Sequence, residues 1–276
     1  MEHAHAEYLE AKRTVDDVAI DRRIEDIFYS RLPNSPRIID FGCGTGSMLS
    51  RLLRKGVRQG EYIGIDIDQK ILDVAVELRK IEALQRGHHV KTSRNTMKID
   101  DLHVQFVVGD AVESLYYYDK IDSIVGLGFA DLVKPELLCQ SIQDCSHSGM
   151  QVYLPITFDG ETIFIPKHEN DKQILNAFHT EIDRKGTAKA GRKLIAQLQN
   201  MAGELSVGRA DWIVHPSKGA KNEAEFVFLS YILKLIEDGL VESDKLDEWI
   251  AYRRNQLTNG ELWYIAHQYD LLFRFD

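Results

Sequence analysis

Apolar positions along the chain follow two rhythms. Between residues 7 and 32, Val15, Val18, Ile20, Ile24, Ile27, Phe28 and Leu32 mostly recur at three- and four-residue steps with charges between them. That spacing predicts an amphipathic helix. The segment LPNSP ends it, because Pro33 and Pro36 both disfavour helix. Continuous apolar runs then alternate with helical stretches: strands over 37–40, 61–68, 104–110, 121–129 and 150–158, and helices over 47–55 and 69–84. Such runs separated by helices predict a parallel sheet covered on both faces, hence an α/β, doubly wound fold. The polar stretch 85–98 reads as an exposed loop. The last third reads mainly as helix over 171–202, interrupted near Gly186 and Gly191. A strand follows at 209–215, then helices at 222–240 and 243–257 and a final strand at 261–275. No linker separates this third from the rest, which predicts a cap built onto one sheet.

Composition narrows the setting. A formal net charge of −9 argues against broad binding to a phosphate backbone, so nucleic acid is an unlikely partner. Cys43, Cys139 and Cys145 form no C-x-x-C pair, and their odd number does not suggest a disulfide framework. The N-terminus carries no apolar signal-peptide core, and no apolar run approaches the ~20 residues of a membrane span. The expectation is a cytoplasmic protein with no membrane partner; a homo-oligomer stays open.

The chemistry gathers at IIDFGCGTGSMLSRLL, residues 38–53. Asp40 ends a strand, Gly42, Gly44 and Gly46 form a turn, and a helix follows. Glycines permit positive φ and close ligand approach, while the helix presents free N–H groups there. A tight connection would need no more than this. A phosphate loop would need a lysine after Gly46, and a dinucleotide turn would need its third glycine one place later, where Ser47 stands. The sequence D-F-G-C-G-T-G resembles the first motif of class I S-adenosylmethionine-dependent methyltransferases.

The resemblance runs over roughly 36–158 and implies a seven-stranded mixed sheet with helices on both faces. It also implies an N-terminal lid helix (1–35), a cofactor-binding core (36–158) and a helical C-terminal cap with the last two strands (159–276). Its cofactor would be S-adenosyl-L-methionine. Asp40, Gly42, Cys43, Gly44 and Gly46 would form the turn, with Asp40 serving equally well as its brace and Cys43 as a packed residue. Asp66, in YIGIDID, would hold the ribose hydroxyls and Ile67 would pack on adenine. Asp110, with Ala111 beside it, would meet the adenine amino group, unless it simply caps the next helix. Gly128 and Phe129 would lie under the reactive methyl. An arginine of the lid helix (Arg22, or Arg13 or Arg23) would pair with the methionine carboxylate.

In open α/β sheets the site lies beyond the carboxyl ends of the strands, which selects the segments after Phe129, Thr157 and His215. The candidate bases are Asp131, which serves equally well as a helix cap, and His179 and His215, whose segments would face the cofactor. The segment G-L-G-F-A-D lacks the N/D-P-P-Y/F motif of many amide- and amino-nitrogen methyltransferases. No histidine spacing supports a metal site. The basic stretch 184–193 reads as a solvated helix face or a site for an acidic substrate group. Tyr116, Tyr117, Tyr118, Trp212 and Trp263 are candidate pocket aromatics. The expected reaction is methyl transfer to a small molecule; the alternatives are a protein or tRNA acceptor, or a non-catalytic cofactor-binding scaffold.

Overall fold

The computed structural model describes residues 2–219 and 223–276. In chain order the helices and strands are α1 (Glu2–Ala19), α2 (Arg22–Ser30), β1 (Arg37–Phe41), α3 (Ser47–Arg54), β2 (Gln59–Asp66), α4 (Gln69–Gln85), β3 (Val90–Ser93), β4 (Thr96–Ile99), β5 (Asp101–Val108), α5 (Ala111–Ser114), β6 (Ser123–Val125), α6 (Pro135–Asp144), β7 (Gln151–Ile165), α7 (Asp171–Lys185), α8 (Ala190–Leu198), β8 (Gly203–Arg209), β9 (Trp212–Val214), α9 (Ala224–Gly239), α10 (Asp244–Asn259) and β10 (Trp263–Phe275).

One sheet runs in the order β3-β4-β5-β2-β1-β6-β7-β10-β8, with β9 beside β10. The five central strands, β5-β2-β1-β6-β7, are parallel and the flanks antiparallel. The doubly wound α/β arrangement is as expected, but the sheet has ten strands rather than seven. Two of the extra strands are the β3–β4 hairpin, which occupies the polar stretch expected to be a loop. Only β4 buries alternate residues, Met97 and Ile99, so most of the hairpin carries no apolar signal. The third is β8, which lies just beyond the stretch read as helix; β9 is separate from it.

Three boundaries also change. The helix expected over 7–32 is two, because the Asp21 carboxylate caps α2 by accepting from the Arg23 and Ile24 amides. Gly191 does not interrupt a helix but lies inside α8, where a Cβ would stand 2.5 Å from the Tyr269 ring. It lets α8 pack closely on β10. The helix expected to begin at 222 starts outside the described residues, and α9 is described from Ala224.

β7 sets the architecture of the second half. Its Tyr153 pairs with Val125 at the end of β6, yet it continues to Ile165, about 40 Å further at 3.3 Å per residue. With β10 and β9 it forms an arm rising past the carboxyl edge of the central strands. On one face of the arm, α1, α7, α9 and α10 share an apolar core containing Tyr8, Val15, Ile174, Phe228, Trp249 and Tyr264. Tyr8 stacks on Tyr231 with ring centroids 4.0 Å apart. The arm-side core therefore unites the N-terminal helix with the cap, while two further cores line the faces of the central strands.

Candidate functional site

The turn after β1 has the backbone its residue types permit. Gly42, Gly44 and Gly46 have φ of +58°, +53° and +79°, values that cost side-chain-bearing residues about 1–2 kcal/mol each. Asp40 lies beneath the turn, level with Gly64 of β2. It is buried and accepts a 2.5 Å hydrogen bond from the Tyr62 hydroxyl. Burial pushes its carboxyl up to about 7, against the Tyr62 hydrogen bond and with help from nearby Asp66. Asp40 thus lies buried beneath the turn with its carboxylate on Tyr62. Cys43 is buried against Gly64, where a Cβ would stand 2.8 Å from its sulfur. Burial raises its thiol pKa, so it is an inert packing residue.

Asp66 ends β2 one strand away. Its Oδ2 accepts from the Gly44 amide at 2.9 Å and its Oδ1 from the Asp68 amide at 3.1 Å. Each oxygen keeps a lone pair, so the carboxylate can tie the turn and still receive two hydroxyls. Ile67 follows with its side chain 79% exposed, an uncovered apolar surface beside that carboxylate. Asp110 caps α5, its Oδ1 accepting from Val112 and Glu113, while its Oδ2 has no hydrogen bond among the described residues. The capping role is thus observed, and one oxygen is left over. Ala111 is buried beside it. The glycine turn, Asp66, Ile67 and Asp110 are consecutive along the strand ends, so the residues present fit a nucleoside-bearing cofactor.

The segment after β6 supplies the opposite wall. Phe129 is buried, edge-on to Phe41, with its ring 2.5 Å from where a Cβ on Gly42 would stand. Gly42 is therefore needed for this packing as well as for its φ. Gly128 has φ +62°, and a Cβ there would stand 2.7 Å from the Lys12 ammonium. Asp131 is half-buried, with its backbone carbonyl accepting from the Thr187 amide at 2.9 Å. Burial raises its carboxyl to about 6, with Lys12 opposing.

The structure separates the other candidate bases. His179 on α7 is half-buried, 3.0 Å from the Thr162 hydroxyl and edge-on to Phe158. Burial lowers its pKa, leaving a neutral imidazole near pH 7. His215 is a correction. It follows β9, which pairs with the start of β10 near the far end of the arm. There it stacks on Trp263 at 4.1 Å and holds the Leu262 carbonyl, well beyond the turn. Arg22 is also corrected: it is exposed on α2, which packs against β8 and β10. Within the basic stretch 184–193, Arg192 pairs with Asp159 and Lys193 donates to Thr187.

The element lying over the turn is α1. Its Leu9 stands 3.4 Å from a Cβ position on Gly44. Glu10 accepts from the Thr45 hydroxyl at 2.6 Å and from Arg79 at 2.9 Å. Arg13 reaches Ser50 and Glu82, each at 3.1 Å, so it is committed to the helix layer. Lys12 stands beside the segment after β6, 2.7 Å from a Cβ position on Gly128. Glu10, Lys12, Thr45, Tyr62 and Arg79 were not singled out from sequence. The available signal for Lys12 was its place four residues from Tyr8 and Asp16 on the buried face of the helix.

Sheet order, glycine turn and strand-end acids together define the Rossmann-like class I methyltransferase architecture. Residues 34–155 match the family model described as a methyltransferase domain. Over this segment, somewhat less than half of the chain, the sequence is similar to a methyltransferase domain. No curated protein matches the chain. Among solved structures, the YcgJ protein from Bacillus subtilis is similar at 13% identity and a TM-score of 0.52, over 92% of this chain and 98% of that one. A methyltransferase from Thiobacillus denitrificans in complex with S-adenosylhomocysteine gives 17% identity and a TM-score of 0.46, over 92% and 91%. Among the described residues no helix is long and apolar enough to cross a membrane, and no group of side chains is arranged to hold a metal ion.

Proposed function

We propose that the chain methylates a small-molecule acceptor held between α1, the Gly126–Asp131 segment and the cap. The observation that carries this reading is the shared core of α1 and the cap, which roofs the strand ends. The polar groups beneath the roof, Lys12 and Asp131 with His179 toward the arm, suit an enclosed ligand better than a polymer.

Bound S-adenosylmethionine supplies a methyl group already activated on a sulfonium. The chain's task is then to position, to exclude water and to take up a proton. Gly42, Gly44 and Gly46 let the backbone approach the cofactor, Asp66 receives its ribose hydroxyls, and Ile67 with Ala111 flanks the adenine. Asp110 offers Oδ2 to the adenine amino group, and Gly128 and Phe129 bound the methyl side. Asp131 accepts the proton that the acceptor loses. A carboxyl with a pKa near 6 is mostly ionised at neutral pH and still basic enough to serve. His179, neutral and oriented by Thr162, lines the acceptor side of the cap.

The test is incubation of cell extract with methyl-tritiated cofactor and the purified chain, with label sorted by size. Label in the small-molecule fraction, with S-adenosylhomocysteine formed in equal amount, is the expected result. Label in protein or RNA would transfer the reading to a macromolecular acceptor. Cofactor binding without any label would favour a scaffold.

A further inference from the structure

β7 changes face partway along. Val152 and Leu154 belong to the core that holds Leu138 of α6 and Leu194 of α8. Ile156, Phe158 and Phe164 belong instead to the arm-side core shared by α1 and the cap. Side chains of a regular strand alternate with period two, so even-numbered residues cannot change face unless a residue is inserted. The register shows the insertion. Leu154 pairs with Leu271 and Thr157 with Tyr269, which leaves Pro155 and Ile156 opposite Asp270 alone. This is a β-bulge, two residues beyond the last pairing of β7 with β6 at Tyr153.

The bulge has a cost. Ile156 has φ +58°, a region that a β-branched residue occupies only when its surroundings impose it. Its amide also falls outside the strand pairing, and a buried N–H without an acceptor is destabilising. Asp270 supplies the acceptor. Its side chain is fully buried, and its Oδ1 accepts from the Ile156 amide at 2.9 Å. Its Oδ2 accepts from the Asp21 amide at 2.7 Å, at the junction of α1 and α2. The carbonyl of the same Pro155–Ile156 peptide accepts from the Gly128 amide at 2.9 Å. A peptide is planar, so holding its N–H also aims its carbonyl. One residue pair earlier, the Tyr153 carbonyl holds the Gly126 amide at 3.0 Å from the regular part of β7.

We propose that Asp270 is a positioning residue: by holding the Pro155–Ile156 peptide in the bulge it fixes Gly128, and with it the wall that Gly128 and Phe129 raise on the methyl side of the site. The place of that wall rests on the function proposed above. Asp270 acts through the backbone and is not a catalytic residue. Its bond to Asp21 sets the junction of the N-terminal helices from the same carboxylate.

The test is residue-resolved amide hydrogen exchange by NMR on the full chain without cofactor. In Asp270→Ala the Gly128 amide should exchange about tenfold faster relative to Gly126, whose partner Tyr153 precedes the bulge. General loosening would quicken both amides alike, so the ratio separates positioning from stability. Asp270→Val also removes both acceptors while filling the buried space, and it serves should the alanine variant not fold, as judged by circular dichroism. An unchanged ratio in the folded variants would overturn the proposal. S-adenosylhomocysteine, titrated calorimetrically, should bind these variants about three- to tenfold more weakly than wild type. Equal affinity would overturn the role of Asp270 at the site. A wild type that binds none of this ligand would remove the functional reading itself, and the exchange ratio would still decide whether Asp270 fixes Gly128.

Discussion

The two faces of α1 meet different kinds of surface, and so do the two halves of the molecule. Toward the cap, α1 presents Tyr8, Ala11 and Val15 to an apolar core shared with α9 and the arm strands. Toward the glycine turn it presents Leu9 and charged groups: Glu10 on Thr45 and Arg79, Arg13 on Glu82, and Asp17 on Arg51 and Arg54. The central strands are held by their own cores, which flank β1 and β2 on both faces, while β5 buries alternate residues on one face. Apolar burial scales with area and does not depend on direction, whereas hydrogen-bonded ion pairs break at defined contacts. The N-terminal helix is thus fastened to the cap and latched to the cofactor core. On the proposed function, the core would bind the cofactor as one unit and the cap would present the acceptor as another.

The largest expected effect tests whether the halves are separable. In the cap, Arg253 is fully buried, pairs with Asp171 and donates to the Pro166 carbonyl and to Gln256 at 2.7 Å. Trp249 donates to the same Asp171 carboxylate. Arg253→Ala removes one partner of a buried charge pair and should cost about 3–5 kcal/mol, measured by urea unfolding. Cofactor affinity, measured calorimetrically where the variant is folded, should stay within about twofold. A parallel fall in affinity would break the comparison. Gly42→Ala acts on the other half. It places a methyl against the Phe129 ring at a backbone conformation that disfavours any side chain. It should lower cofactor affinity about a hundredfold, near 2.7 kcal/mol, and an unchanged titration would show that the turn is only a connection.

The same contrast explains what the sequence disclosed. The turn was legible because its backbone conformation demands glycine, and because the strand-end acids Asp66 and Asp110 stand at fixed intervals behind it. The central strands were legible because burial on both faces leaves continuous apolar runs such as IID and YIGID. The β3–β4 hairpin was not, because Lys91, Thr92 and Ser93 are all exposed. The roles of Lys12 and Glu10 depend on where α1 crosses the sheet, a tertiary fact that periodicity does not contain. Arg22 was misplaced for a related reason: the Asp21 cap breaks the helix one residue earlier. His215 was misplaced because the overhang of β7 carries β9 away from the strand ends.

Asp40 sharpens the comparison from beneath the turn. Its carboxyl is raised by burial from an ordinary 3.8 to about 7, so the folded chain holds this proton more tightly than the unfolded one. Its contribution is therefore full below about pH 4 and is lost as pH rises toward 7. Asp40→Asn keeps an acceptor for Tyr62 without the charge. It should raise stability at pH 8 by about 2 kcal/mol, less than the roughly 4 that the full shift nominally carries, because an ionised interior carboxylate recruits water. Unfolding midpoints of the two proteins should converge at pH 4. A difference independent of pH would mean that the asparagine acts by packing.

The smallest expected effect is the most specific. Asp66 has two tasks, tying the Gly44 and Asp68 amides and offering its remaining lone pairs to the cofactor ribose. Asp66→Ala removes both and should weaken S-adenosylmethionine and S-adenosylhomocysteine alike by tenfold or more, about 1.4 kcal/mol, since both carry the same ribose. Asp66→Asn separates the tasks. An amide oxygen still accepts the Gly44 amide, but its NH2 can accept neither the Asp68 amide nor a hydroxyl hydrogen. If the ribose contact dominates, Asn should bind nearly as weakly as Ala while losing less stability than Ala, since it keeps the Gly44 contact and gives up only the Asp68 one. If the turn dominates, Asn should recover most of the affinity, and the acid would then serve as a support for the glycines that the cofactor does not touch.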